Sequence, residues 1–318
     1  RFGIRSIPYL FAFITVIAYG LLFRHTGFYW DDWPFAWIAR FYGPGEFFQA
    51  FTGIRPFLGP IFFVTTSLIP PVPVYWQIFA LVIRFFSGLS VWFVLSQVWP
   101  RYKRQALVAS LLFLVYPGYS QHWVAFTHIN QEWIPFLFYL LSFGFTARAM
   151  RNQEKFRSST IYALLLTVLG VFPTEYFIGL EPLRFMFIWV IVSEVPGTFK
   201  QRSIQTLKLW GPYLLVWLGN VAWLAYFYTI GSYDSYAVEA ATAPLTLFQL
   251  PFIMLDALWK AGIYAWGQII FLVAQTITAP SSLLSLGLIG VTFSLLLFYL
   301  TKLDLPHIET RTFAIPAL

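Results

Sequence analysis

Two adjacent carboxylates, Asp31 and Asp32, sit among aromatics in Phe28-Tyr29-Trp30-Asp31-Asp32-Trp33-Pro34, directly after a long apolar segment. Apart from Glu46, they are the only acids in the first 130 residues. Neighbours on a helix point about 100° apart, so the two carboxylates serve different roles. One can accept a proton from an attacking hydroxyl while the other orients the attack or binds a cation. Asp32, before Trp33-Pro34, also fits a helix N-cap, whereas capping needs only one acid, which leaves Asp31 the better general base.

Other ionisable residues follow at intervals. Arg55-Pro56 reads either as an anion-facing arginine or as one snorkelling at an interface. Glu175 ends the run Pro173-Thr174-Glu175 between two apolar segments. Glu181 and Arg184, at i,i+3, either serve a functional site within a span or satisfy each other. Arg84 has no evident partner nearby in sequence. His122, His128 and Glu132 cluster, with His128 and Glu132 at i,i+4, but a zinc site needs a third ligand that the sequence does not place. Interfacial polar residues are the plainer account of that cluster.

The elements that must position these residues are apolar helices. The 318-residue chain is 59% hydrophobic, 21% aromatic and 10% charged, against about a quarter charged in a soluble domain. Its continuous apolar runs suit roughly 30 Å of hydrocarbon and not the short alternating segments of a β-barrel. The net charge of +7 lies mostly in short connections, and no basic face with interleaved aromatics suggests nucleic acid. The absence of cysteine excludes disulfides, thiolate metal sites and cysteine nucleophiles. No HExxH, P-loop or GxGxxG pattern occurs.

The pattern predicts an all-α polytopic bundle forming one transmembrane domain over 1–318, with about eight spans near 7–23, 75–98, 105–116, 133–145, 160–171, 176–192, 210–230 and 281–300. The first outer loop, 24–73, carries interfacial helices after Pro34, at 46–50 and over an apolar stretch after Pro56. An outer or re-entrant segment covers 231–280. The basic loops around Arg101–Arg104, Arg148–Arg157 and Lys200–Lys208 orient the chain with both termini cytoplasmic. Asp31, Asp32, Glu46, Glu132, Glu175, Asp234, Glu239 and Asp256 then fall on the extracytoplasmic face. The first residue is not Met and the end resembles the start of another apolar segment, so a fragment of a longer chain is expected.

This layout resembles the GT-C superfamily of integral-membrane glycosyltransferases, which includes protein O-mannosyltransferases and lipid A aminoarabinose transferases. The residues that carry the likeness are Asp31-Asp32, Arg55-Pro56, Pro117 with His122, and Thr174-Glu175. It covers about 7–195 well and the rest loosely. Relatives often have lysine where this chain has Thr174.

The resemblance implies a polyprenyl-phosphate sugar donor, an extracytoplasmic acceptor, an Asp of the pair as base and inversion at the anomeric carbon. It implies donor-phosphate or substrate contacts from Arg55, Glu175, Arg184 and His122. Some members use a divalent cation, for which Asp31 and Asp32 are the candidate ligands. Two alternatives stand beside it. One is a non-catalytic GT-C-like subunit of a larger membrane complex. The other is a lipid-linked sugar transporter, against which the lack of an internal repeat speaks.

Overall fold

The computed structural model describes residues 1–119, 121–230, 248–276 and 280–305. Asp234, Glu239, His307, Glu309 and Arg311 lie outside them. All regular elements among the described residues are helical, apart from one isolated bridge between Phe2 and Leu303. The chain divides into two compact units. Among the described residues, one unit comprises 1–7, 115–119, 121, 248–276 and 280–305, the other 8–114 and 122–230.

The larger unit begins in α1 (Ile7–Thr15), which runs into a π-helical turn, Val16–Gly20. Three short helices follow: α2 (Asp32–Phe41), α3 (Glu46–Thr52) and α4 (Gly59–Leu68). Gly43, at φ 83°, makes the break between α2 and α3, a conformation glycine adopts without steric cost. Trp30, Trp33, Trp37 and Phe41 recur at helical spacing and are all exposed, as expected of an interfacial aromatic face. Then come α5 (Pro73–Val98), α6 (Lys103–Leu114), α7 (Ile134–Arg151), α8 (Phe156–Val171), α9 (Glu181–Ser193) and α10 (Phe199–Ile230). A π-helical turn, Ile129–Trp133, leads into α7, and a 3-10 turn, Glu175–Leu180, into α9.

The core of this unit joins five helices: Val94 and Val98 of α5, Tyr139, Phe143, Ala147 and Met150 of α7, Val171 of α8, Ile188, Ile191 and Val192 of α9, and Leu209 of α10. Lipid is as apolar as such a core, so helix association in a bilayer rests on close packing and interhelical hydrogen bonds more than on hydrophobic transfer. Gly170 shows the packing: a Cβ there would lie 2.7 Å from Tyr139 Cβ and 2.9 Å from its backbone N.

At one end of the unit the guanidinium of Arg151 ties three helix ends together. Its Nε donates to Gln97 O at 3.0 Å, Nη2 to Val98 O at 2.8 Å, and Nη1 and Nη2 form a two-pronged pair with Glu194. The α5–α6, α7–α8 and α9–α10 connections of this end, together with the helix ends that flank them, carry most of the unit's basic residues. The opposite end holds Asp31, Asp32, Arg55, Glu132 and Glu175.

The smaller unit contains α11 (Leu250–Trp259), a π-helical turn Lys260–Tyr264, α12 (Ala265–Thr276) and α13 (Pro280–Lys302). Phe2 N donates to Lys302 O at 3.0 Å, and its ring stacks on Tyr299 at 4.8 Å. Lys260 pairs with Asp256 at 2.7 Å one turn away.

Five helices among the described residues are long and apolar enough to cross a membrane: Pro73–Val98, Ile129–Arg151, Glu175–Ser193, Leu250–Gln275 and Pro280–Lys302. This fits an integral membrane protein. Ile4–Gly20 and Pro56–Leu68 are apolar but shorter. Leu250–Gln275 covers most of the segment read as outer or re-entrant, yet by length and composition it is able to cross.

Candidate functional site

Asp31 and Asp32 part company at the start of α2. Trp30 adopts φ 46°, a left-handed conformation that costs a bulky L-residue roughly 1–2 kcal/mol. The turn it makes places Asp31 exposed in the N-cap position, where its side chain makes no capping bond. Asp32 is the first residue of the helix and fully buried. The capping role read for Asp32 is therefore corrected. Its Oδ1 accepts the backbone N–H groups of Phe126 at 3.1 Å and Thr127 at 2.8 Å, and its Oδ2 accepts that of Tyr29 at 3.4 Å. A buried N–H needs an acceptor, and here one carboxylate fastens the 122–128 turn to the start of α2. Burial pushes the Asp32 carboxyl above the usual aspartate range, opposed by the hydrogen bonds from Thr127 and Tyr29 and by the nearby His128.

The fastened turn carries the histidines. His122 is half-buried, its ring 5.3 Å from both Tyr19 and Trp123. Trp123 also meets the rings of Tyr29 and Trp30 edge-on, so His122 and the residue before Asp31 share one aromatic neighbour. Gln77 Nε2 donates to Trp123 O at 2.8 Å, and Trp76 packs on Phe126 with centroids 4.0 Å apart. The N-terminal turn of α5 thus supports the segment from beneath. The following π-helical turn is anchored by Asn130, which donates to Phe126 O and accepts from Thr65 of α4, both at 2.7 Å. Its Glu132 stands 3.9 Å from His128 Nε2 and within electrostatic reach of Arg84 and Arg55. Such turns, with one residue inserted in a helix, are frequent at functional sites.

Arg55 and Glu175, 120 residues apart, form a two-pronged pair: Nε donates to Oε2 at 3.1 Å and Nη2 to Oε1. The guanidinium also lies over the Tyr176 ring at 5.1 Å. Both side chains keep part of their surface open, 17% and 28%. Beside them Thr174 is buried, and its hydroxyl has no hydrogen-bond partner. Arg55, Glu175, Tyr176, Glu132 and His128 therefore form one neighbourhood, joined to α2 through Asp32.

Arg184 lies elsewhere. It is wholly buried among α7, α8, α9 and α10. Nε donates to both oxygens of Glu181, Nη1 to Thr146 at 2.7 Å, and Nη2 to Ser142 and Thr167 at 2.9 and 3.0 Å. The rings of Phe143 and Tyr213 lie 4.6 and 4.5 Å from it. Glu181 is completed by Tyr139 Oη at 2.6 Å and Trp210 Nε1 at 2.9 Å. With four of its five N–H groups engaged in a closed core, Arg184 is positioned to hold helices together and not to meet a donor phosphate. This corrects the substrate-contact role read for it.

Arg84 of α5, which showed no neighbour in sequence, lies over the rings of Tyr19 at 4.7 Å and Trp133 at 4.4 Å. Nothing local signals that arrangement, since the rings come from 65 residues before and 49 after. Among the described residues no group of three or more His, Asp and Glu side chains is arranged to hold a metal ion.

The class these features define is an all-helical chain of membrane-crossing type with an ionisable cluster gathered at one end of its larger unit. Compared with protein-family models, curated proteins and solved structures, the chain has no match.

Proposed function

We propose that the chain is a membrane glycosyltransferase of GT-C type, moving a sugar from a polyprenyl-phosphate donor to an extracytoplasmic acceptor with inversion. The observation that supports it best is the Arg55–Glu175 pair, partly open and beside His128, Glu132 and Tyr176. A two-pronged guanidinium is suited to a phosphate, and Glu175 holds it in place until a donor arrives. Asp31, exposed beside the strained Trp30, takes the proton of the acceptor hydroxyl. The hydroxyl oxygen bonds to the anomeric carbon as the bond to the phosphate oxygen breaks, and Arg55 neutralises the charge on the leaving lipid phosphate. The exposed indoles of Trp30 and Trp33 offer faces for a sugar ring. Eight spans, with the acidic end extracytoplasmic and the basic end cytoplasmic, follow from the positive-inside rule.

A second reading, a non-catalytic subunit on the same scaffold, is favoured by Asp32 and Arg184 being engaged by structural bonds. Sugar transfer in membranes, assayed with polyprenyl-phosphate sugars, separates the two. The enzyme reading expects transfer by wild type and a loss of at least about 100-fold with Asp31→Asn, the range of general-base catalysis. Full transfer by Asp31→Asn removes the base. No transfer by wild type from any such donor favours the subunit.

A further inference from the structure

A cavity of about 180 Å³ lies between α7, α8, α9 and α10, at the basic end of the larger unit and away from Arg55. Its apolar lining includes Met150, Phe156, Ile188 and Leu209; Thr160 and Tyr213 add hydroxyls, and Lys208 completes it. Met150, Ile188 and Leu209 are buried whereas Lys208 is exposed, so the cavity is largely apolar within and charged at its rim. Pro212, also in the lining, has no N–H. The helical bond from position 212 to the Lys208 carbonyl therefore cannot form, which leaves that carbonyl without its intrahelical donor. About two and three turns beyond Lys208 along that helix, Leu215 and Leu218 are exposed apolar residues, a surface suited to lipid.

We propose that this cavity takes part of one acyl chain of an anionic phospholipid whose headgroup phosphate pairs with Lys208. Charge complementarity selects the lipid. The surrounding helix ends and connections carry Arg148, Arg151, Lys155, Arg157, Lys200 and Arg202 against Glu154 and Glu194, and Glu194 is engaged by Arg151. Basic pockets between membrane helices bind anionic headgroups, and each nearby cation adds to the attraction. The methylenes fill a space that would otherwise leave its lining without packing partners. The proposal rests on the membrane reading of the chain and is independent of sugar transfer.

Native mass spectrometry of the full chain in detergent, with phosphatidylglycerol or phosphatidylcholine added, tests it. Wild type is expected to retain one phosphatidylglycerol in clear preference to phosphatidylcholine. Lys208→Glu, on an exposed position that tolerates substitution, is expected to lower that retention at least tenfold. Ala149→Phe, which fills the cavity, is expected to lower retention of both lipids, its fold being checked by thermal unfolding. Equal retention of the two lipids by wild type overturns the proposal. So does undiminished phosphatidylglycerol on Lys208→Glu, or displacement of the lipid by inorganic phosphate alone, because the acyl chain would then contribute nothing.

Discussion

Asp32 Oδ1 accepts two consecutive backbone N–H groups, those of Phe126 and Thr127, across 94 and 95 residues. One carboxylate oxygen thereby joins α2 to the turn that carries His122 and His128. Asp32→Ala strands both donors in a buried site, at about 1–3 kcal/mol each. Asp32→Asn keeps an acceptor oxygen and is expected to cost less than half as much. Thermal unfolding in detergent checks the order of the two variants; equal loss would deny the carboxylate this positioning role.

The same carboxyl has a sign to its pH dependence. Its folded pKa is raised, chiefly by burial, so the folded state holds the proton more tightly than the unfolded chain. The stability Asp32 contributes is then full below the ordinary aspartate value of about 3.9 and falls as pH rises through the interval up to the raised value. The difference in melting temperature between wild type and Asp32→Asn should shift against wild type across that interval and level off above it. A difference that moves toward wild type with rising pH contradicts the raised value.

Glu181 and Arg184 form a buried pair that removal of one partner should expose as a liability. Arg184→Met leaves Glu181 charged and enclosed, at about 3–5 kcal/mol. The double variant Glu181→Gln with Arg184→Met should recover a large part of that loss, because no uncompensated charge remains. Unfolding of the single and double variants in one detergent measures the recovery.

Gly170 sets two opposed effects against each other. Alanine in a helix interior is favoured over glycine by about 1 kcal/mol. Here the added Cβ would meet Tyr139 at 2.7 Å, and overpacking costs about 1–3 kcal/mol. Because two of the three nearest atoms are backbone, the clash should win and Gly170→Ala should lower the melting temperature. A rise would mean that α7 and α8 separate without cost.

Much of the architecture was legible in the sequence. Apolar runs of sufficient length marked Pro73–Val98 and Pro280–Lys302 almost to their ends, because helix and bilayer both respond to local composition. Basic residues in the connections between spans marked one end of the bundle before any packing was considered. Pro34, Gly43-Pro44-Gly45 and Pro56 punctuated the short helices, since their backbone limits act within a turn or two. The i,i+3 spacing of Glu181 and Arg184 made their pairing a local prospect, and His128 with Glu132 likewise.

What only the tertiary structure decided depends on chain segments far apart. Two neighbouring aspartates of identical chemistry received opposite environments because the turn at Trp30 leaves one in solvent and presents the other to the N–H groups of residues 126 and 127. Arg55 met Glu175, and Arg84 met Tyr19 and Trp133, over separations at which no periodicity carries information. Arg184 looked like any ionisable residue in a span until Ser142, Thr146 and Thr167 closed around it. Local propensity and composition set the helices; long-range hydrogen bonding and desolvation assigned each charge its surroundings.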